Sequence, residues 1–371
     1  MTAGADGPDL HPALVSRRTL LRGRAAAAGV VAGGALLTGQ GAMACAAAGP
    51  VATKVKNLVG TQTPVQFGIG ATDLGIPARC PDGRTLWVFG DTFAGATVGS
   101  GNWRSPVALY STTSNLASGV TFNGAVGGAT AAQLWPYTHG TDTQTVIPSD
   151  VITIGGTMYL QAIVNGPSFG AVRRTEIWKS VDSGATWVLT AAQFPGDKDG
   201  GLFQLLSWGL GNDGYVYIYS TGFQRNAGFI LHRVAQGSIE DPAAYEPWGW
   251  NGRAWQWNAA AASVILDGKF GELCLRPIGG KWVLTWFDAG NYRIDAMVLN
   301  TPTDNLVTAP RTTLIFGGSW GAEDNTHVAQ LYGGYLLPGS SLSDLHLSVS
   351  QWNTSTNDVY HSMQFRVRGL A

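Results

Sequence analysis

From Gln66 onward the hydrophobic positions fall into short strand-like runs separated by clusters of Gly, Asn, Asp and Pro. Such clusters punctuate strands: glycine reaches positive φ without steric cost, and Asn or Asp side chains bond back to their own backbone. No segment sustains the 3.6-residue period of an amphipathic helix. The runs assemble into five groups. The first joins FGIGATDLGI, TLWVFGDTF and PVALYSTT; the second, SDVITIGGTMYLQAIVNG and TEIWKSVDSGATWVL. The third joins LLSWGLGNDGYVYIYSTGF and GFILHRV; the fourth, GELCLRPIGGKWVLTWFD and RIDAMVL; the fifth, HVAQLYGGYLLPG, LHLSVSQWN and YHSMQFRV. The glycine stretches IGGT, GNDG, IGGK and LYGG read as turns between an inner strand and its partner. Strand–turn–strand units recurring every ~40–60 residues predict propeller blades. The expected fold is therefore all-β, a five-bladed β-propeller over residues 50–371 as a single domain.

Two local signals refine this. SVDSGATW (Ser180 to Trp187) has the Asp-box pattern S-x-D-x-G-x-T-W. Gly184 permits a positive φ, Trp187 packs beneath the turn, and Asp182 is expected to be structural. Asp73 and Asp91 lie nine residues on either side of Asp82, which with Gly83 makes a hairpin signal. A hairpin folded about Asp82-Gly83 places the two carboxylates nearly opposite each other, with Cβ atoms about 5 Å apart. Carboxylates that close split their pKa values, an arrangement suited to acid–base work, although turn-capping aspartates would give the same pattern.

Composition narrows the class. Only 13% of the residues are charged and the formal net charge is −1, so no basic stripe exists to neutralise phosphates and nucleic acid is excluded as a partner. The chain has 51 Gly for tight turns and 14 Trp that serve either as core or as flat stacking faces. The histidines show no metal-ligand spacing; GIGATDLG is not followed by a helix, so it is no dinucleotide fingerprint; and no Gly-x-Ser-x-Gly elbow is present. No cofactor or metal is implied, and a structural or axial Ca²⁺ is compatible with the sequence. No apolar run after the N-terminal region is long enough to span a bilayer, and a monomer is expected.

The runs GATDLGIP, LWVFGDTF, GNWRSPVALYS, IPSDVITIGGTMYLQ, GELCLRPIGGKWVLTWFD and YGGYLLPGSSLSDLHLSVSQWNT, in that order, resemble one actinobacterial family from about Gly60 to the C-terminus. These are the endo-D-arabinanases of glycoside hydrolase family 183, formerly catalogued as a domain of unknown function. The resemblance implies hydrolysis of internal D-arabinofuranosyl linkages in the D-arabinan of arabinogalactan and lipoarabinomannan, with catalysis by Asp73 and Asp91. Glu272, in FGELCLR, corresponds to the general acid of related five-bladed furanosidases, or else is an edge glutamate. A close Asp73–Asp91 pair suits retention, a more distant acid inversion.

The remaining candidates are read from position. Asp150 starts the second inner strand and either faces the funnel or caps the strand. Asp288 ends WVLTWFD as Asp91 ends its own strand, suggesting a substrate contact or a turn. Arg104 is a candidate partner for a catalytic carboxylate. Trp103, Trp208 and Trp320 are candidate sugar platforms or buried rings, His139 and His327 are loop residues able to contact sugar, and Glu323 and Asp324 read as solvated. Another furanosidase on the same propeller, or a non-catalytic wall-glycan-binding propeller, are the alternative readings.

Residues 1–49 read as targeting rather than fold. Arg17-Arg18 precede Thr19-Leu20-Leu21 and a weakly apolar Ala/Gly run, as in a twin-arginine export signal, which predicts a secreted or envelope-associated protein. Cys45 follows small residues compatible with cleavage, but Ala42 stands where a lipobox has Leu, which argues against lipidation. Cys80 and Cys274 have no metal-ligand spacing; a disulfide is allowed outside the membrane, but buried free thiols are expected.

Overall fold

The computed structural model describes residues 49–370. Arg17, Arg18 and Cys45 lie outside them. The fold is all-β, and its strands follow one another as antiparallel meanders, except that His327–Ala329 pairs parallel to Arg311–Gly318. Leu74–Arg79, Thr85–Phe89, Val107–Ser111 and Gly124–Ala125 form the first sheet. Thr145–Ile154, Thr157–Asn165, Val172–Ser180 and Val188–Pro195 form the second. Leu205–Leu210, Tyr215–Thr221 and Ala227–Ala235 begin the third group; Leu266–Ile278, Lys281–Asp288, Arg293–Leu299 and Arg311–Gly318 make the fourth. Ala227 pairs with Phe270 and Phe229 with Leu266, so these two groups share one ten-stranded sheet. Leu331–Leu336, Asp344–Trp352 and Tyr360–Arg368 form the last sheet, which Val51–Gly60 completes by pairing Ala52 with Val367 and Gly60 with His361. That N-terminal strand was absent from the sequence reading, although its β-branched residues carry a strand signal. It ties the start of the described chain to its end.

The first strand of each group packs against its neighbours in a closed cycle. Leu74–Arg79 lies beside Thr145–Ile154, then come Leu205–Leu210, Leu266–Ile278 and Leu331–Leu336, which returns to Leu74–Arg79. These strands are buried on both faces, which explains their nearly unbroken apolar runs. Trp87, Trp208 and Trp286 are fully buried between the sheets, and each large apolar side chain so buried stabilises the fold by about 1.5–3 kcal/mol relative to exposure. Cys80 and Cys274 are buried and free, and burial pushes both thiols up to about 11.

Gly155-Gly156 and Gly279-Gly280 turn two-residue hairpins with positive φ at both positions, as IGGT and IGGK predict. LYGG is different: Leu331 to Gly334 lie inside the inner strand, where Gly333 (φ 88°) and Gly334 (φ 108°) make a bulge. Gly334 also passes so close to Ile294 that a Cβ would sit 2.9 Å from its Cγ2. Glycine clusters mark bulges and close approaches as well as turns, and sequence alone does not separate them. The Asp box forms as expected. Asp182 Oδ1 accepts from Thr186 N (2.9 Å) and Ser180 Oγ (2.7 Å), and Trp187 Nε1 donates to Gly184 O (3.0 Å). Its Ser183 carbonyl receives Tyr110 Oη at 3.1 Å, pinning the second sheet to the first.

Candidate active site

The inner strands carry β-bulges where they enter the centre. Register shifts fall between Leu74 and Ile76, Pro148 and Asp150, Phe270 and Leu273, and Gly333 and Tyr335. A bulge re-aims the side chains beside it. The residues so placed are Asp73, Asp150, Glu272 and Tyr332, from four different groups.

The first bulge corrects the expected symmetry of the aspartate pair. Arg79 pairs with Thr85 and Ile76 with Val88, in the register centred on Asp82. Beyond the bulge Leu74 pairs with Phe89, so Asp73 faces Gly90 rather than Asp91, and Gly90 N donates to Asp73 O at 3.3 Å. A Cβ on Gly90 would lie 2.4 Å from Asp73 Oδ1; only glycine leaves room for the carboxylate. Leu74 takes φ 66°, which a non-glycine residue holds only under constraint. The constraint comes from the last sheet: Ser350 Oγ accepts from Leu74 N (2.8 Å), while Ser348 and Ser362 hydroxyls donate to Leu74 O (2.9 and 3.1 Å). Thr72 and Thr92, each adjacent to one aspartate and fully buried, hydrogen-bond at 2.6 Å.

Asp73 is 6% exposed, and Tyr332 Oη donates to its Oδ2 at 2.7 Å. Tyr360 is fully buried beside Asp73, Tyr332 and Asp91. Burial first, then these neighbours, pushes its phenol well above the ordinary range, so it stays a proton-bearing donor toward Asp73. Asp91 is half-buried; Trp103 Nε1 (2.9 Å) and Thr145 Oγ1 (2.6 Å) both donate to its Oδ1. Glu272 is buried, with Oε1 on the Arg225 guanidinium and Oε2 without a hydrogen-bond partner. Arg225 in turn lies over the Tyr332 ring, 4.8 Å from its centroid. Tyr335, fully buried, is pushed far up by burial and then by Glu272, Asp73 and Asp150. Asp73, Tyr332, Arg225 and Glu272 therefore form one continuous chain of contacts, with Asp91 joined to it through Tyr360.

The other candidates are placed differently. Asp150 is saturated: Arg276 takes both carboxylate oxygens (2.6 and 2.9 Å), and Ser207 Oγ and Trp208 N also donate to it. It is a buried internal ion pair with every oxygen engaged. Asp288 binds Arg311 and the Asn291 backbone and side chain, organising the turn into the next strand. Arg104 meets no carboxylate; it donates to the carbonyls of Ala131 (2.5 Å) and Gly68 (2.6 Å), and burial lowers its pKa. Its anticipated role beside an acid falls geometrically to Arg225, in a turn that offered no sequence signal. Trp103 runs nearly parallel to His139 at 4.1 Å and to Phe93 at 5.8 Å, so it positions Asp91 with its N–H rather than presenting an open face. Burial holds the His139 imidazole down to about 4, and its Nε2 meets Gln133 Oε1 at 2.9 Å. Trp208 is fully buried; Trp320 is exposed. His327 is exposed against Asp324, and Glu323 accepts from Gln351 and Ala329 N. Among the described residues no group of three His, Cys, Asp or Glu is arranged to hold a metal ion, and no helix is long and apolar enough to cross a membrane.

Residues 60–366 match a family described as a domain of unknown function, DUF4185. The chain belongs to the DUF4185 family. It is 31% identical over 329 residues to an "uncharacterized 35.9 kDa protein in asd 3'region" of Mycolicibacterium smegmatis, spanning 84% of this chain and 96% of that protein. It is also 31% identical over 319 residues to notoamide biosynthesis cluster protein J' of Aspergillus versicolor (79% of this chain, 83% of that one). Among solved structures, this DUF4185 chain resembles a putative hydrolase from Bacteroides ovatus, with a TM-score of 0.60, 14% identity and coverage of 82% and 87%. It also resembles a GH43_1 enzyme from Xanthomonas citri, with a TM-score of 0.52, 10% identity and coverage of 84% and 90%. At these identities the likeness shows the fold: a propeller-like all-β domain shared with glycoside hydrolases.

Proposed function

We propose that this DUF4185 protein is a secreted glycoside hydrolase that cleaves internal D-arabinofuranosyl linkages on a five-bladed propeller. The observation that carries the reading is the acidic centre: Asp73, Asp91 and Glu272 gather around Tyr332, Tyr335 and Tyr360 where the inner strands begin. Polysaccharide binding alone does not call for three acids gathered around buried tyrosines. Glycoside hydrolysis does, because positive charge develops at the anomeric carbon while a proton reaches the leaving oxygen. The closed cycle of five inner strands supports the blade count.

In this mechanism Asp91, the half-exposed acid, faces the anomeric carbon, with Trp103 and Thr145 fixing one of its oxygens. Asp73, oriented by Tyr332, is its partner in proton transfer. As water adds to the anomeric carbon and the exocyclic C–O bond breaks, one carboxyl gives its proton to the leaving oxygen and an ionised carboxylate takes the proton that the water loses, so the acids together end with the protons they began with. Glu272 is the third carboxyl: Arg225 binds its Oε1, and it can serve as the acid only by carrying a proton on its unpartnered Oε2. D-Arabinan specificity rests on the family resemblance of the sequence, and export on Arg17-Arg18, which predicts that Arg17→Lys/Arg18→Lys stays in the cytoplasm; its normal secretion would remove that part. Product profiles on D-arabinan, L-arabinan and xylan test the activity. A ladder of D-arabino-oligosaccharides from the first alone supports the proposal; products from L-arabinan or xylan instead would reassign the substrate.

A further inference from the structure

Outside the acidic centre, one element of the third group has no part in the site. Glu246–Trp250 and Trp255–Trp257 form a hairpin on the outer edge of that group, pairing with Ala227–Ala235. In its register Trp248 pairs with Trp257 and Trp250 with Trp255, so four indoles stand on one face in two cross-strand pairs. The inner pair is anchored: Arg233 lies 4.4 Å from the Trp257 ring centroid and Tyr217 5.9 Å. The outer pair is not covered, with Trp250 50% and Trp255 40% exposed. The opposite face is closed by the chain's own backbone, because a Cβ on Gly249 would lie 2.3 Å from Ala261 O and Ser263 bonds both Trp248 O and Trp250 N. The connecting turn is fixed by Asn251, whose Oδ1 accepts from Arg253 N and Ala254 N and whose Nδ2 donates to Gln256.

We infer that Trp250 and Trp255 form an accessory platform for a neutral polysaccharide chain, distinct from the acidic centre; the inference rests on the reading of the substrate as a glycan polymer. An indole face carries negative quadrupole charge that attracts the polarised C–H bonds of a sugar ring, and the flat ring binds with little loss of rotamer entropy. The platform is preformed, since strand pairing and the Asn251 turn hold both rings before any ligand arrives. Its chemistry disfavours other occupants. Only Arg253 in the turn is cationic, whereas adsorption to anionic lipid uses clustered basic residues. Two exposed indoles make too small a patch for a stable protein interface, which buries about 800 Å² on each partner. A platform at the sheet edge cannot take part in bond cleavage; it raises the local concentration of polymer around the centre by bivalent attachment.

Depletion from solution by insoluble D-arabinan, measured in the cold, tests this on the full chain and on Trp250→Ala/Trp255→Ala. About tenfold weaker polymer binding by the double variant, with thermal unfolding close to wild type, is the expected result. Equal binding of the two folded proteins would overturn the inference and leave the indoles as hairpin packing. Co-sedimentation with phosphatidylglycerol vesicles that is lost in the double variant, while polymer binding is unchanged, would overturn it in favour of a membrane. If the double variant does not fold, Trp250→Gln, at the more exposed ring, supplies the same comparison. A wild-type chain that binds D-arabinan through these rings without hydrolysing it would refute the catalytic reading and leave the platform standing.

Discussion

Replacing Gly90 with alanine isolates the placement of Asp73 from every other feature of the site. Gly90 does not have positive φ, so its backbone accepts a side chain. The added Cβ would lie 2.4 Å from Asp73 Oδ1 and 3.0 Å from Leu74 Cδ1. Ordinary non-bonded contact needs about 1 Å more than the first of these, so the carboxylate or its strand must move by that amount. The carboxylate cannot retreat freely, because Tyr332 holds its other oxygen and three serines hold Leu74. Overpacking of this kind costs about 1–3 kcal/mol of stability. A displacement near 1 Å in a reacting group costs about 10²-fold in rate, or about 2.7 kcal/mol in the barrier. The assay is release of reducing ends from D-arabinan, with circular dichroism to establish folding. Gly83→Ala is the control: it strains a φ of 88° in open space at the far end of the same hairpin. It is expected to lose some stability and keep its activity. A folded Gly90→Ala enzyme with the wild-type rate would refute the argument that Asp73 acts from this position.

Glu272→Gln leaves the Arg225 guanidinium without its anion in a buried site, so it is expected to destabilise by about 3–5 kcal/mol. If Glu272 is the acid, the variant retains far more activity on an aryl arabinofuranoside than on arabinan; equal losses on both substrates would exclude that role. Asp182→Asn weakens the Asp-box bonds to Ser180 and Thr186 and lowers stability by about 1–2 kcal/mol, with arabinan hydrolysis unchanged; a large loss of rate without loss of stability would contradict a structural role. His139 stays neutral in the folded chain down to about 4 because burial disfavours its charge, whereas the unfolded imidazole takes a proton near 6.5. Stability is therefore lost as pH falls from about 6.5 to about 4, by at most ~1.4 kcal/mol per pH unit from this residue; His139→Gln should lessen the slope in denaturant titrations by that share, buried His361, also held down to about 4, keeping its own, and an unchanged slope would show that His139 does not contribute to it.

The glycine-punctuated apolar runs carry the strand groups because inner strands, buried on both faces, are written as continuous hydrophobic sequence. The Asp box was legible for a related reason: each of its residues bonds to another within the same turn. What escaped was set by contacts distant in sequence. The one-residue displacement of Asp73 comes from a bulge clamped by Ser348, Ser350 and Ser362, nearly three hundred positions along the chain. LYGG reads like IGGT and IGGK, yet it is a bulge that brings Tyr332 to Asp73, because its glycines meet Ile294 and the neighbouring strand. Arg225 comes to Glu272 because the strand after its turn pairs Ala227 with Phe270, and Arg276 comes to Asp150 because neighbouring inner strands pack side by side; neither contact is written in the local sequence. Asp150, which sits inside the strand Thr145–Ile154 rather than at its start, and Asp288, at the end of its strand, are each bound by an arginine that the sequence does not announce. Val51–Gly60 went unread because its pairing partner is the last strand of the chain.

The central claim is that the acids at the strand entrances perform hydrolysis. Release of D-arabino-oligosaccharides by wild type, Asp73→Asn and Asp91→Asn, each verified as folded, tests it most directly. The account predicts an active wild type and losses of about 10²–10⁴-fold or more in both variants; D-arabinan hydrolysis at wild-type rates by either folded variant would contradict it.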